Sequence, residues 1–215
     1  MDEEEGLRCE LLAGAQFLYA GYIKEGLAAM EKVMADIGET MPKSSKGALM
    51  SLLWNRGKLK LRGRKWKEQK DSSISSKEMR RLDIYKVISI SMSMVDRICG
   101  ADFQVRGLLL ALTSGDAKRI GPAMALEAGY MATQGGRSLE TAVSWALTAK
   151  KITDYSDDHY CKAWGPAADA WISYFSGSFG RNVTEPGLPF SSAFLIGVRK
   201  GLEHFQGCDA EGFVF

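Results

Sequence analysis

Residues 7–38 read LRCELLAGAQFLYAGYIKEGLAAMEKVMADIG, and this stretch decides the fold class. Apolar residues recur three and four positions apart on both sides of a break at Gly21 and Tyr22, which is the spacing of amphipathic helices. Gly38 follows the second apolar run and is the residue type that most often ends a helix. Because the break is so short, the stretch predicts an antiparallel pair of helices.

Small residues recur on both helices of this predicted pair. They are Ala13, Gly14, Gly26, Ala28 and Ala29. We expect them to lie where the two helices face each other, because small side chains let helix axes approach closely.

Helical periodicity continues through most of the chain. The predicted helices span about residues 46–70, 76–100, 102–113, 116–134, 138–153 and 157–177. The apolar and polar alternation that is typical of strands is nearly absent. About eight helices in series therefore predict an all-α fold of antiparallel helix pairs, stacked as a tetratricopeptide-like α-solenoid. Pro122 and Pro166 each follow a glycine inside a predicted helix, and each is expected to kink or restart it.

The last part of the chain has a different character. Glycine and proline become frequent after about residue 180, and only residues 194–205 keep a weak helical pattern. The sequence therefore predicts a helical-repeat domain over residues 1–179 and an irregular or loosely docked tail over residues 180–215.

Four segments of the chain carry a family resemblance. They are QFLYAGYIKEGL at 16–27, LMSLLWNRGKLKLRG at 49–63, SMSMVDRICGADFQVRGLLLAL at 91–112 and ALEAGY at 125–130. In this order they resemble the C-terminal tetratricopeptide-like repeat region of large bacterial serine/threonine protein kinases. In that family a kinase domain and a predicted signal-transduction ATPase precede the repeats. The resemblance covers about residues 8–179.

The resemblance implies a sensor or docking region rather than the kinase itself. A glycine-rich phosphate loop, an HRD catalytic loop and a GxxxxGK[ST] motif are all absent from the sequence, and Asp102-Phe103-Gln104 lacks the glycine of a DFG motif. No catalytic or cofactor-binding residue is therefore predicted. The expected partners are a protein or peptide, including the kinase and ATPase modules of a parent protein. The chain would then be a freestanding adaptor, a regulatory segment, or the remnant of a longer gene.

Composition narrows the classes of function further. The chain has 215 residues, a formal charge of +2, two histidines and four cysteines, with no CxxC pair. Such scarcity argues against most metal sites and histidine-dependent catalysis. For the cluster Asp157, Asp158, His159 and Cys161 we expect helix capping by the aspartates rather than metal binding, because His159 and Cys161 diverge on a helix. The acidic first residues and the lack of an apolar run of membrane-spanning length predict a cytoplasmic protein with reduced thiols.

The most unusual local feature is the basic segment at residues 56–70. It holds eight basic residues and one acid, a net charge of +7, so the rest of the chain carries −5. On one continuous helix Arg56, Lys60, Arg64 and Lys67 would form a single stripe. The alternatives are a solvated helix end that is favoured by the helix dipole, docking to a module of the parent protein, an acidic protein partner, and a nucleic acid or a membrane. Nucleic acid is the less expected partner.

Overall fold

The computed structural model describes residues 3–67 and 75–177 of the chain. In these residues the secondary structure is entirely helical, and the all-α prediction is confirmed. The helices are α1 (Glu3–Tyr19), α2 (Ile23–Asp36), α3 (Ser45–Arg62), α4 (Ser76–Met92), α5 (Arg97–Ser114), α6 (Ala117–Ala132), α7 (Ser138–Thr153) and α8 (His159–Phe175). Stacking as a solenoid stays a prediction, as does the division into residues 1–179 and 180–215. The predicted tail lies outside the described residues.

The chain divides into two compact units, one ending at Gly115 and the other beginning at Asp116. In the first unit α1 packs against α2 and α4, while α5 packs against α3 and α4. Its core joins side chains from all five helices, with Met30, Ile88 and Phe103 completely buried. In the second unit α6, α7 and α8 each pack against the other two.

The α1–α2 pair forms as predicted, with Gly21 in the left-handed region at φ 86°. At the end of α2 the Gly38 amide donates to Ala35 O, while Gly38 itself has φ 74°. The close approach of the helices runs through Gly14 and Gly26, because a Cβ on Gly26 would lie 3.0 Å from Gly14 O. The prediction is wrong for Ala13 and Ala28, which are exposed on the opposite faces.

Two predicted helix ends are wrong. Gly100 was expected to end the fourth helix, but α4 ends at Met92 and Gly100 is buried within α5. The boundary is set by Asp96, whose Oδ1 accepts hydrogen bonds from the amides of Ile98 and Cys99 at the start of α5. The other error concerns α3, which ends at Arg62 rather than near residue 70.

The core of the second unit is rich in alanine and is organised around Thr153. A Cβ on Gly121 would lie 2.9 Å from Thr153 Cγ2, and one on Gly165 would lie 3.1 Å from Thr153 Oγ1. Each glycine is followed by a proline, yet α6 runs on through Pro122 and α8 through Pro166. Neither helix restarts at its proline, so that alternative is wrong, while the kink stays a prediction. The two Gly-Pro pairs lie where α6 and α8 pack closely against α7.

Candidate functional site

The four residues of the predicted basic stripe do not share one helix. Arg56 and Lys60 lie on α3, whereas Arg64 and Lys67 follow its end. Gly63 separates the two pairs, because it adopts φ 73° while its amide still donates to Leu59 O. The predicted geometry of a continuous stripe is therefore wrong, although the basic residues remain neighbours in sequence at the carboxyl end of α3.

The turn after α3 is held by the side chain of Arg62. Its Nη1 donates to Lys65 O at 2.8 Å, and its Nη2 donates to Leu112 O on α5 at 2.6 Å. These bonds tie residues 63–65 to the body of the first unit. Lys60 and Lys67 are exposed, whereas Arg56 and Arg64 are half-buried. The exit of α3 is thus a fixed cationic surface, next to the negative end of the helix dipole.

The inner face of α3 makes polar contacts with α5. Ser51 Oγ and Asn55 Nδ2 each donate to Asp102 Oδ1, at 2.9 Å in both cases. Asp102 is completely buried and pairs with Arg106, whose Nη2 lies 2.8 Å from Asp102 Oδ2. A buried carboxylate is costly unless it is paired and hydrogen-bonded, and Asp102 has both kinds of contact.

The same polar network continues to α4 and to the loop after α2. Glu39 forms ion pairs with Arg81 and, at 3.9 Å, with Arg106. Arg81 also donates to the hydroxyl of Tyr85 at 3.2 Å, a bond that raises the pKa of the guanidinium, while burial raises the pKa of the Tyr85 phenol. Because Glu39 and Asp102 are both neutralised by arginine, this network is suited to joining helices rather than to acid–base chemistry.

Sequence reasoning missed this network and weighed Asp102 only as part of an incomplete kinase motif. Two signals were present in the sequence: Ser51 with Asn55, and Asp102 with Arg106, are polar pairs spaced four residues apart within otherwise apolar helices. Such spacing places each pair on one helix face. The pairing between α3 and α5 joins residues about fifty positions apart, and helical periodicity carries no information on it.

The outer face of α3 is apolar and exposed. Met50, Leu53, Trp54 and Leu61 have exposed fractions of 67%, 57%, 68% and 91%. Gly57 lies among them, and nothing lies within 4 Å of the position that its Cβ would occupy. A helix that is apolar on its solvent side is unusual in a globular unit, since the polar face normally points outward.

Cations border this apolar face, and α3 contains no acidic residue. Lys58 Nζ lies 5.3 Å from the centroid of the Trp54 ring, in the range of a cation–π contact. Lys46 and Lys60 are also exposed on the same helix. The arrangement offers an apolar stripe and positive charge together, which fits an acidic partner with an apolar face of its own.

Two of the described thiols, those of Cys99 and Cys161, are poorly suited to nucleophilic chemistry. Burial raises the pKa of the Cys99 thiol to about 12 and also raises that of Cys161. Asp158 caps α8 by accepting from the amide of Tyr160 at 2.9 Å, so the predicted capping role is confirmed for Asp158, while Asp157 precedes the cap. His159 is exposed while Cys161 is completely buried, and the two side chains therefore do not form a dyad.

Within residues 3–67 and 75–177, histidine, cysteine and acidic side chains form no group of three that could hold a metal ion. None of the described helices combines the length and the hydropathy that crossing a bilayer requires. No protein-family model, curated protein or solved structure matches this chain. The resemblance to kinase-linked repeats therefore rests on the four quoted segments alone.

Proposed function

We propose that this chain is a non-catalytic protein-interaction module, and that it binds an acidic protein or peptide through α3 and the basic residues that follow it. One observation carries the proposal: α3 exposes bulky apolar side chains on its outer face, is bordered there by lysines, and contains no acid. Exposed apolar surface of this kind is typical of sites where another macromolecule binds.

The charge distribution supports an acidic partner. Positive residues concentrate in one segment, whereas the rest of the chain is net negative. Complementary charge of this kind speeds the encounter with a negative surface. The attraction weakens as the salt concentration rises. The bonds of Arg62 to Leu112 O and Lys65 O support the proposal further, because a surface that is already ordered costs less entropy to bind.

The test is affinity capture with three matched forms of the chain. The first is the wild type, and the second carries Lys58→Glu, Lys60→Glu and Lys67→Glu, three exposed positions. The third is a control with Lys24→Glu, Lys77→Glu and Lys151→Glu, which are also exposed but lie on other helices. We expect the wild type and the control to retain an acidic protein that the α3 variant loses. Recovery of the same proteins by all three forms would refute the proposal.

The family resemblance supports a more specific form of this proposal. In it the partners are the kinase and ATPase modules of a bacterial serine/threonine kinase, and the chain acts as their regulatory segment in the cytoplasm. Binding of the wild type to a kinase encoded by a neighbouring reading frame, lost in the α3 variant, would support it. A freestanding adaptor would instead bind a protein that is unrelated to any kinase.

A nucleic acid is the competing partner for the basic segment. Binding to phosphates would weaken steeply with salt, because each neutralised phosphate releases counterions. A gel-shift assay in 50 mM and 200 mM salt separates the two cases. We expect no shift at either concentration, and a shift that disappears at the higher one would favour nucleic acid.

A further inference from the structure

The apolar residues on the outer face of α3 follow the spacing of a helix–helix contact. From Met50, the other members lie three, four, seven and eleven positions on, at Leu53, Trp54, Gly57 and Leu61. At 1.5 Å per residue they cover about 16 Å along α3, or about three helical turns. Positions at this spacing lie in one band along a helix. The band is about as wide as the surface that one packed partner helix covers.

Gly57 is the feature that identifies the kind of partner. A glycine in the interior of a helix costs about 1 kcal/mol relative to alanine. No atom in the described part of the chain requires it here, since none lies within 4 Å of its Cβ position. Gly57 therefore leaves a notch between Trp54 and Leu61 that no packing among residues 3–67 and 75–177 explains. A notch in a row of bulky side chains is suited to a knob from a rigid, closely approaching helix.

We infer that the outer face of α3 binds an amphipathic acidic helix of about three turns. The inference rests on the proposed function and names the partner's chemistry. The partner's apolar side chains would cover Trp54 and Leu61, with one of them in the notch at Gly57. Its acidic residues on one flank would face Lys58, which lies on the same side of the band as Trp54. Those on the other flank would face Lys60, which lies on the side of Leu53 and two turns beyond it. Recognition of an amphipathic helix along an apolar surface is a recurring mode of peptide binding.

Two other occupants of this face fit the observations less well. A second copy of the chain would bring the lysines of one α3 against those of the other, with no acid on either helix to pair with them. An anionic lipid surface would suit lysines beside Trp54. Acyl chains are flexible, however, and they adapt to any side chain, so a glycine in this face would not improve their contact. The notch at Gly57 therefore favours a helix.

The experiment measures fluorescence anisotropy of two labelled synthetic peptides of 16 residues with the full chain. The first places leucines at i, i+3, i+4, i+7 and i+11 with glutamates on both flanks, and the second is a scramble of the same composition. We expect the amphipathic peptide to bind at least tenfold more tightly than the scramble. Trp54→Ala should weaken this binding at least tenfold. Tyr155→Ala, a change at a residue that is 90% exposed in the second unit, is the matched control and should leave it unchanged.

Each other outcome overturns the inference in a distinguishable way. Equal binding of both peptides would be consistent with an acidic partner, and hence with the proposed function. It would reject the inference that this partner is an amphipathic helix. Absence of binding by the amphipathic peptide would reject the helix, while the capture experiment still decides the proposed function. Binding to vesicles with anionic lipid, or self-association in sedimentation, that Trp54→Ala abolishes would assign the face to a lipid surface or to a second copy.

Discussion

Both the α1–α2 pair and α3 have a glycine near the middle, but one glycine lies in a tight helix–helix contact and the other is open to solvent. A Cβ on Gly26 would meet Leu18 at 2.6 Å and Gly14 O at 3.0 Å, so this glycine lets two helices touch. A Cβ on Gly57 would meet nothing within 4 Å. The first region has its partner helix within the chain, whereas the second exposes a comparable surface with no such partner among the described residues.

The difference extends to how each region is joined to the first unit. The α1–α2 contact is made by small and apolar residues, such as Gly14, Ala15 and Met30, which are buried. By contrast, α3 meets α5 through Ser51 and Asn55 on the buried carboxylate of Asp102. Ala48 and Leu59 are also buried on this inner face, so α3 carries apolar residues on both faces and adds the polar bonds on the inner one. Such a helix suits a binding surface, because its inner contacts fix its orientation while the apolar residues of its outer face stay exposed.

Asp102→Ala should give the largest effect, because it removes the anchor of the inner face of α3. Ser51, Asn55 and the Arg106 guanidinium would lose their shared acceptor. We expect a loss of about 3 kcal/mol in the free energy of unfolding, measured by urea denaturation. Asp83→Ala removes an exposed carboxylate that lies 3.8 Å from Lys86, and it should cost less than about 1 kcal/mol. Equal losses in the two variants would show that α3 does not depend on the polar network.

Gly26→Ala should give the next largest effect, because the added methyl group enters the α1–α2 contact. We expect a loss of about 2 kcal/mol from overpacking, measured as a fall in the urea midpoint. Leu18→Ala in the same chain should recover part of this loss, since Leu18 is the side chain that the new methyl group meets. Gly6→Ala, on the same helix pair but with open space at its Cβ position, should not destabilise the chain. Strictly additive losses at residues 18 and 26 would contradict the close contact.

Gly57→Ala should give the smallest effect and the opposite sign. Alanine raises helix propensity and meets no neighbour, so we expect a gain of about 0.5–1 kcal/mol in the free energy of unfolding. Thermal denaturation followed by circular dichroism measures it. Destabilisation would mean that the chain itself packs against this position, and the contrast with Gly26 would then be lost.

Much of the fold could be predicted from the sequence because its determinants are local. The bounds of α7 and the caps at Asp116 and Asp158 follow from residues within a few positions of each helix end. The end of α3 could not be predicted, because the basic residues beyond Gly63 keep a helical spacing. What ends the helix is the conformation of Gly63, together with the bonds from Arg62 to a carbonyl fifty residues away.

The candidate site was only half visible in the sequence. Its charge was evident from composition, since residues 56–70 hold eight basic side chains. Its apolar part was not, because Leu49, Leu52, Leu53 and Leu59 all fit an apolar helical pattern, and among them only Leu59 is buried. Periodicity identifies an apolar face but does not say which face meets the core. Here polar bonds to Asp102 decide the orientation of α3.

The affinity of the acidic amphipathic peptide for Gly57→Leu tests the central claim, that the outer face of α3 binds a partner helix, most directly. Leucine adds apolar surface to this face and has good helix propensity, so the variant should fold at least as stably as the wild type. If a partner helix packs into the notch, the variant should bind the peptide at least tenfold more weakly. Binding that is equal or tighter would show that only general hydrophobicity attracts the peptide, and it would contradict the account.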